Sequence, residues 1–424
     1  MREQKLSKSL DWFTILLYLT MVTLGWLNIY AAVYDVEIHK SIVNLDLNSG
    51  KQLFWIFSAL LLGAIILLLD FKLFDRFAFG IYGGLVLMLI GVLFFGKEIA
   101  GSRSWFDFGF MRLQPAEFAK VAVSLAVAGF LKEPSMHAEK PKVMFSLFGF
   151  ILVPAALIIL QGDTGSAMVF AALVIVFYRE GLPAYLMVLG LSAIALFVAT
   201  LFLRESHLDY FIGGIVIVEL LFLFLFRKQK KKLLITLVGF AMAIGLVLSV
   251  DYIISDIFKP HQRDRIDILI HPDKDPMGVG WQVTQSKIAI GSGGIWGKGF
   301  LEGTQTKFDF VPDQSTDFIF CTVGEEHGWL GSLIVIGLFM TLISRLITLA
   351  ERQKARFSRV YGYCVASILF FHFMINIGMT IGLFPVVGIP LPFFSYGGSS
   401  LWSFTILVFI FIKLDAHRSQ MLVR

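Results

Sequence analysis

The chain has 424 residues, 57% of them apolar and 16% charged, against about 25% charged for an ordinary soluble domain. A mean hydropathy of +0.78, carried in part by 43 Phe and 8 Trp, excludes a water-soluble globule. The net charge of +5 is read first as a topology signal, because Lys and Arg collect on the cytoplasmic side of membrane proteins, so no nucleic-acid partner is implied.

Apolar blocks fall near 12–33, 53–69, 77–95, 115–131, 143–160, 165–178, 183–203, 210–226, 233–253, 329–349, 360–383 and 398–414. A helix needs about twenty such residues to cross the hydrocarbon core, so these predict about twelve spans. The first block follows Arg2, Lys5 and Lys8 but is longer than a signal-peptide core, and no cleavage site precedes the second, so it reads as a retained span. The block 165–178 is short; it either extends back into the Gln161–Thr164 turn or tilts little. With the N-terminus inside, Arg227, Lys228, Lys230, Lys231 and Lys232 and the run Arg345, Arg352, Lys354, Arg356 and Arg359 all fall inside, and the short outside loops are poor in basic residues. Both termini are then cytoplasmic, and the loops 96–114, 254–328 and 384–397 lie outside. The long loop 254–328 carries Gly291, Gly293, Gly294, Gly297 and Gly299 among Trp281, Trp296, Phe300, Phe308 and Phe310, a composition that predicts folding back on the membrane surface and not a disordered linker.

Several motifs invite a chemical reading. GSGGIWGKG fails as a phosphate loop, because Ser292 stands where the first Gly is required and no Ser or Thr follows Lys298; it predicts a tight re-entrant turn. The eight His show no zinc spacing, and Cys321 and Cys364 form no disulfide framework, so no protein-built metal site is expected. Glu117 and Lys120 in PAEFAK are three apart on one helix face, either as a structural ion pair or as the lining of a charged cavity. Asp163 in QGDTGSA is either a helix cap or a functional acid. Glu325 and Glu326 suit the N-terminus of a span. Glu219 stands alone in an apolar span and must find a partner or stay protonated. In FPVVGIPLPFFSYGGSS, Pro385, Pro390 and Pro392 stiffen a loop before Ser395, Gly397, Gly398, Ser399 and Ser400, which open a helix; the run is an anion cradle or a re-entrant loop with a Ser cap. HPDKDPMGVGWQ contains an Asp275-Pro276-x-Gly278 turn, and Arg263, Arg265, Lys274 and Lys287 around it could bind an anionic headgroup.

GSRSWFDFGFMRLQPAEFAK, QGDTGSA, DPMGVGWQVTQSKIAIGSGGIWGKGFLEGTQTKFDFVPDQSTDFIFCTVGEEHGWLG and NIGMTIGLFPVVGIPLPFFSYGGSS, in this order over nearly the whole chain, resemble the SEDS family (shape, elongation, division and sporulation). IAIGSGG, GKG and GTQ resemble its rod-shape members more than its division members. The resemblance implies a bacterial peptidoglycan glycosyltransferase that polymerises lipid II outside the cytoplasmic membrane, together with a class B penicillin-binding transpeptidase. It implies Asp275 as the catalytic acid-base residue, and a cavity lined by Arg103, Trp105, Glu117, Lys120 and Asp163. The chain departs from the family pattern at Gln161–Ser166, where Gln-Pro-Asp-Leu-Gly-Thr is usual, at Trp281 for a common Tyr, and at Asp313, Gln314 and Ser315 for a more usual Glu-x-His.

The sequence thus predicts an all-α polytopic membrane protein: a single integral domain over 1–424, with the family's core of ten transmembrane helices, an extra helix pair within 180–232, and a large folded extracytoplasmic loop at 254–328. An acceptor sugar hydroxyl would attack the anomeric carbon of a donor leaving as polyprenyl pyrophosphate, with Asp275 as base, Arg103, Lys120 and the Ser395–Ser400 helix start as candidates for holding the pyrophosphate charge, and Arg265 as a further substrate-binding residue. A divalent cation is left open and no other cofactor is expected. The rival readings are a flippase of the lipid-linked precursor and a non-catalytic scaffold.

Overall fold

The computed structural model describes residues 9–34, 41–99, 101–109, 111–203, 207–227, 229–252, 279–308 and 310–418. Every apolar block is helical, because backbone groups in a hydrocarbon solvent must pair within their own segment. The helices are α1 (Trp12–Ala32), α2 (Asn48–Leu68), the short α3 (Lys72–Arg76), α4 (Ala78–Phe95), α5 (Pro115–Leu131), α6 (Pro141–Leu160), α7 (Thr164–Met168) and α8 (Leu173–Arg179). They continue as α9 (Ala184–Leu203), α10 (Leu208–Phe226), α11 (Lys230–Tyr252), α12 (Val279–Ser292), the short α13 (Thr304–Lys307), α14 (Ile319–Glu351), α15 (Arg356–Thr380) and α16 (Gly398–Ala416). Among the described residues, nine helices are long and apolar enough to cross a membrane. The block expected at 165–178 does reach back to Thr164: α7 and α8 are joined through a 3-10 turn at Val169–Ala172.

The chain divides into two compact units, residues 1–182 with 281–424, and residues 183–280. In the first, α5 is the central helix, packed by α4, α6, α15 and α16. Its small side chains Ala119, Ala122, Ala126 and Ala128 are buried, which lets neighbouring backbones approach where no hydrophobic drive separates helix from lipid. In the second unit α9, α10 and α11 pack together, with Leu201 and Val250 at their buried contact. Glu219 on α10 is buried and its Oε1 has no hydrogen-bond partner.

Between α4 and α5 the chain forms a small antiparallel sheet, β1 (Lys97–Ile99), β2 (Ser102–Asp107) and β3 (Arg112–Leu113), with Lys97 opposite Trp105 and Asp107 opposite Arg112. The Lys97 ammonium, 2.7 Å from Asp107, and the Gly109 N–H hold the Asp107 carboxyl below its usual pKa range.

The glycine run after α12 has a definite job. Helix α14 is broken at Gly328, whose φ is +61°, so backbone groups on both sides lose their helical partners. The run replaces them: Trp329 N–H donates to Gly294 O and Leu330 N–H to Ile295 O, while Lys298 and Gly299 donate to the carbonyls of Glu325 and Glu326. A Cβ at Gly297 would stand 2.1 Å from Glu326 O, so only glycine permits this approach. The tight turn expected from GSGGIWGKG is what the structure contains.

Candidate active site

Helix α5 opens with Pro115 at its first position, where a missing N–H costs nothing, and Glu117 in its first turn, where the helix dipole favours an acid. Three residues on, Lys120 Nζ donates to Glu117 Oε2 at 2.6 Å, and both side chains are buried. Burying two charges costs several kcal/mol each unless further contacts complete the pair, and other elements supply those contacts. From α15, His372 Nε2 lies 3.2 Å from Lys120 Nζ. From α16, the Phe404 ring centroid lies 4.3 Å from the same ammonium; Ser403 Oγ donates at 2.6 Å to the main-chain carbonyl of Glu117, which ties α16 to the backbone of α5 and not to the charges.

The ends of several elements meet around the start of α5. Asp163 caps α7, accepting from Ser166 N–H at 3.0 Å and Ser166 Oγ at 2.8 Å, and it also accepts from Gln114 Nε2 at 2.7 Å. It is therefore both a cap and a tie to the residue preceding α5. The Arg103 backbone N–H donates to Gln161 O at 2.8 Å, which pins β2 beside this turn. Its side chain is half exposed, with Glu98 Oε2 4.0 Å from the guanidinium; Trp105 lies two residues along the same strand.

At the start of α16, Ser399 Oγ accepts from Gln114 N–H and donates to Arg112 O, both at 3.2 Å. Gly397 is the helix cap and its N–H donates to Gln52 Oε1 at 3.2 Å. A Cβ at Gly398 would stand 2.6 Å from the Trp55 ring. Of the two readings of this run, the Ser cap is not found: α16 has no side-chain cap bond. Ser395 faces the protein: its hydroxyl donates to Thr316 O at 2.6 Å and accepts from Leu391 N–H at 2.8 Å.

Hydrogen bonds thus join Glu117, Lys120, Asp163, the backbone of Arg103 and Ser399 around one helix start, with Gly397 and Gly398 adjacent. Asp275 and Arg265 lie outside the described residues. Among the described residues no group of three or more His, Cys, Asp or Glu is placed to hold a metal ion. Sequence reading missed His372 and Asn376, one turn apart on α15. Asn376 Nδ2 donates to Ile389 O at 2.7 Å and Asp317 O at 2.8 Å, and His372 Nδ1 lies 3.1 Å from Pro390 O. The available signal was two polar residues at helical spacing in the otherwise apolar stretch HFMIN.

Comparison with known proteins gives a consistent result. A family profile for cell cycle proteins covering FtsW, RodA and SpoVE matches residues 11–211 and 208–420. The peptidoglycan glycosyltransferase RodA of Treponema pallidum (strain Nichols) is 32% identical over 430 residues, covering 96% of this chain and 98% of that protein. The peptidoglycan glycosyltransferase MrdB of Escherichia coli (strain K12) is 32% identical over 351 residues, 82% of this chain and 80% of the relative. A chain from a solved structure on the coordination of polymerization and crosslinking by a peptidoglycan synthase complex superposes with a TM-score of 0.69 at 28% identity, over 97% of this chain and 99% of that one. The rod shape determining protein RodA of Thermus thermophilus shares the fold, with a TM-score of 0.61 at 24% identity over 96% of this chain and 97% of that one. The chain belongs to the FtsW/RodA/SpoVE family of cell cycle proteins, the SEDS family that its motifs resemble.

Proposed function

We propose that this chain is a peptidoglycan glycosyltransferase that polymerises lipid II into glycan strands at the outer face of the bacterial inner membrane, serving cell elongation and shape. The observation that carries the reading is the buried Glu117–Lys120 pair, set where the β-sheet, the Asp163 turn and the start of α16 converge, in a chain alignable over 98% of a peptidoglycan glycosyltransferase. An intramembrane charge pair is costly and marks a site by default.

In this reading the acceptor sugar hydroxyl attacks the anomeric carbon of the donor, its proton passes to Asp275, and the bond to polyprenyl pyrophosphate breaks with its electrons leaving on the phosphate oxygen. The half-exposed Arg103 guanidinium and Arg265 receive that negative charge. Lys120, already engaged by Glu117 and His372, acts by fixing Glu117 at the cavity wall. Asp163 orders the turn beside it, Trp105 offers an apolar face to a sugar, and Gly397, Gly398 and Ser399 place the start of α16. Ser395 serves by folding the preceding loop.

The same reading gives the topology: twelve spans, both termini cytoplasmic, and the loops 96–114, 254–328 and 384–397 outside. It treats the chain as one integral domain with an extra helix pair within 180–232; the separate clustering of residues 183–280 supports an added element there. A class B penicillin-binding transpeptidase is its partner in this reading, in line with the peptidoglycan synthase complex to which a structural relative belongs.

The test is direct: the purified chain with its transpeptidase partner, given lipid II in detergent, makes glycan polymer. The transport reading has the buried Glu219 in its favour, but a flippase makes no polymer in this assay, and a scaffold makes none without a second polymerase.

A further inference from the structure

His372 is buried in α15 at 1% exposure, and its two ring nitrogens face partners of opposite kind. Nδ1 lies 3.1 Å from the Pro390 carbonyl, which can only accept, so Nδ1 carries a hydrogen. Nε2 lies 3.2 Å from Lys120 Nζ, an ammonium that can only donate, so Nε2 must offer its lone pair. The neutral Nδ1–H tautomer alone satisfies both. The other tautomer would set N–H against ammonium and lone pair against carbonyl, and an imidazolium would place a second cation beside Lys120.

The ring therefore links the charged pair to the backbone of the loop that leads into α16. One turn along α15, Asn376 donates to Ile389 O, so α15 reads two successive carbonyls of that loop. Pro390 and Pro392 have no N–H, which keeps this stretch from pairing as a strand, and side chains must hold it. The loop runs into α16, and α16 returns to the backbone of α5 through Ser403 and the Glu117 main-chain carbonyl. Lys120 is held between both routes, with Phe404 of α16 below its ammonium.

We propose that His372 is a positioning residue for the glycosyl transfer: it holds the Lys120 ammonium, and through it the Glu117 carboxylate, in register with the Ile389–Pro390 segment. The inference rests on the assignment of the Glu117–Lys120 pair to the substrate cavity. His372 does not touch substrate; its contribution passes through Lys120.

The test compares full-length chains with the transpeptidase partner in lipid II polymerisation, reading kcat and KM separately. His372→Leu removes both hydrogen bonds, and kcat falls at least about 30-fold with KM within about threefold, the pattern of lost transition-state placement. His372→Gln can still accept from Lys120 through its amide oxygen and donate to Pro390 O through its amide nitrogen, so it restores kcat to within about threefold of wild type. A residue needed only for packing is not rescued this way. His372→Met replaces His372→Leu if the latter does not insert. The inference is overturned if the apolar variant keeps wild-type kcat, or if a folded His372→Gln is as impaired as the apolar variant. Lys120→Met is run beside them. If it is inactive while His372→Leu is active, this inference alone fails; if Lys120→Met is fully active, the cavity assignment fails with it.

Discussion

Gly165 at the start of α7 lies so near the Val387 carbonyl that a Cβ would stand 2.1 Å from its oxygen. This approach brings the Asp163 turn against the loop that precedes α16, and it requires a residue without a side chain. Gly165→Ala must push the two segments apart, and overpacking of this kind costs about 1 to 3 kcal/mol. The thermal midpoint in detergent and polymerase activity should both fall. Gly84→Ala is the control, since a Cβ there meets nothing within 4 Å; equal behaviour of the two variants would refute the account.

Adjacent acids make opposite predictions. Glu325 Oε1 accepts from Lys298 Nζ at 2.7 Å, Thr304 N–H at 2.7 Å and Gln305 N–H at 2.8 Å, and Oε2 accepts from Thr306 N–H at 2.9 Å. It is the cap of α13 and ties the segment after the glycine run to α14. Glu325→Gln turns an amide toward donors and removes the charge that Lys298 pairs with, while Lys298, 23% exposed, keeps its bond to Thr304 Oγ1; the loss is about 1.5 to 3 kcal/mol, the worth of hydrogen bonds to a charged group. Neither carboxyl oxygen of the buried Glu326 has a partner of ordinary hydrogen-bond geometry, although the Leu301 and Gly303 N–H groups and Lys307 still favour its carboxylate. Glu326→Met removes a poorly compensated buried group and is neutral or stabilising by up to about 2 kcal/mol. Thermal unfolding of both variants decides, and destabilisation by Glu326→Met beyond that of Glu325→Gln would reverse the assignment.

The parts of this structure that sequence revealed are those with local causes. Apolar run length located the helices, and the spacing of Glu117 and Lys120 implied their pairing, because both are set within a turn or a span. What escaped depends on contacts distant in sequence. His372 meets Lys120 across 252 positions, and nothing near either residue announces it. Ser395 could be read from sequence as part of an anion cradle or of a re-entrant loop, and only the fold shows its hydroxyl bonded to Thr316 O and Leu391 N–H. Gly328 was unremarkable in sequence, yet the break there is what the glycine run exists to satisfy.

Glu219 distinguishes polymerase from transporter. It lies on α10 in the unit 183–280, outside the motifs that carry the family resemblance. Glu219→Gln should keep polymerase activity within about tenfold, a change of roughly 1.4 kcal/mol at most. A much larger loss in a normally inserted protein would bring this helix into the reaction.

The proposed sidedness rests on the charge distribution. Phe108 and Thr304 are exposed on the segments assigned outside, and Lys354 is exposed on the segment between α14 and α15. Single cysteines at Phe108 and Thr304 should react with an impermeant maleimide in intact cells, and cysteines at Lys230 and Lys354 should react only after permeabilisation. Labelling of the Lys230 position in intact cells would overturn the twelve-span arrangement.

The catalytic assignment makes the sharpest prediction. In the proposed topology Asp275 belongs to an outer loop, where lipid II headgroups would arrive, and the Asp275-Pro276-x-Gly278 sequence favours a turn. Asp275→Asn keeps the size and much of the hydrogen bonding but cannot take the acceptor proton, so polymerisation should fall by about 10² to 10⁴, on the order of 3 to 5 kcal/mol. The protein should still insert and bind its partner, because the change buries no new group. Asp273, two residues earlier, has the same charge, and Asp273→Asn should cost little, since only one carboxylate can stand at the reacting hydroxyl. A dead Asp273→Asn with an active Asp275→Asn would mean that the motif is misregistered. If both remain active, the base must be sought at Asp163 or Glu117, and Asp163→Asn or Glu117→Gln would then be the inactivating change.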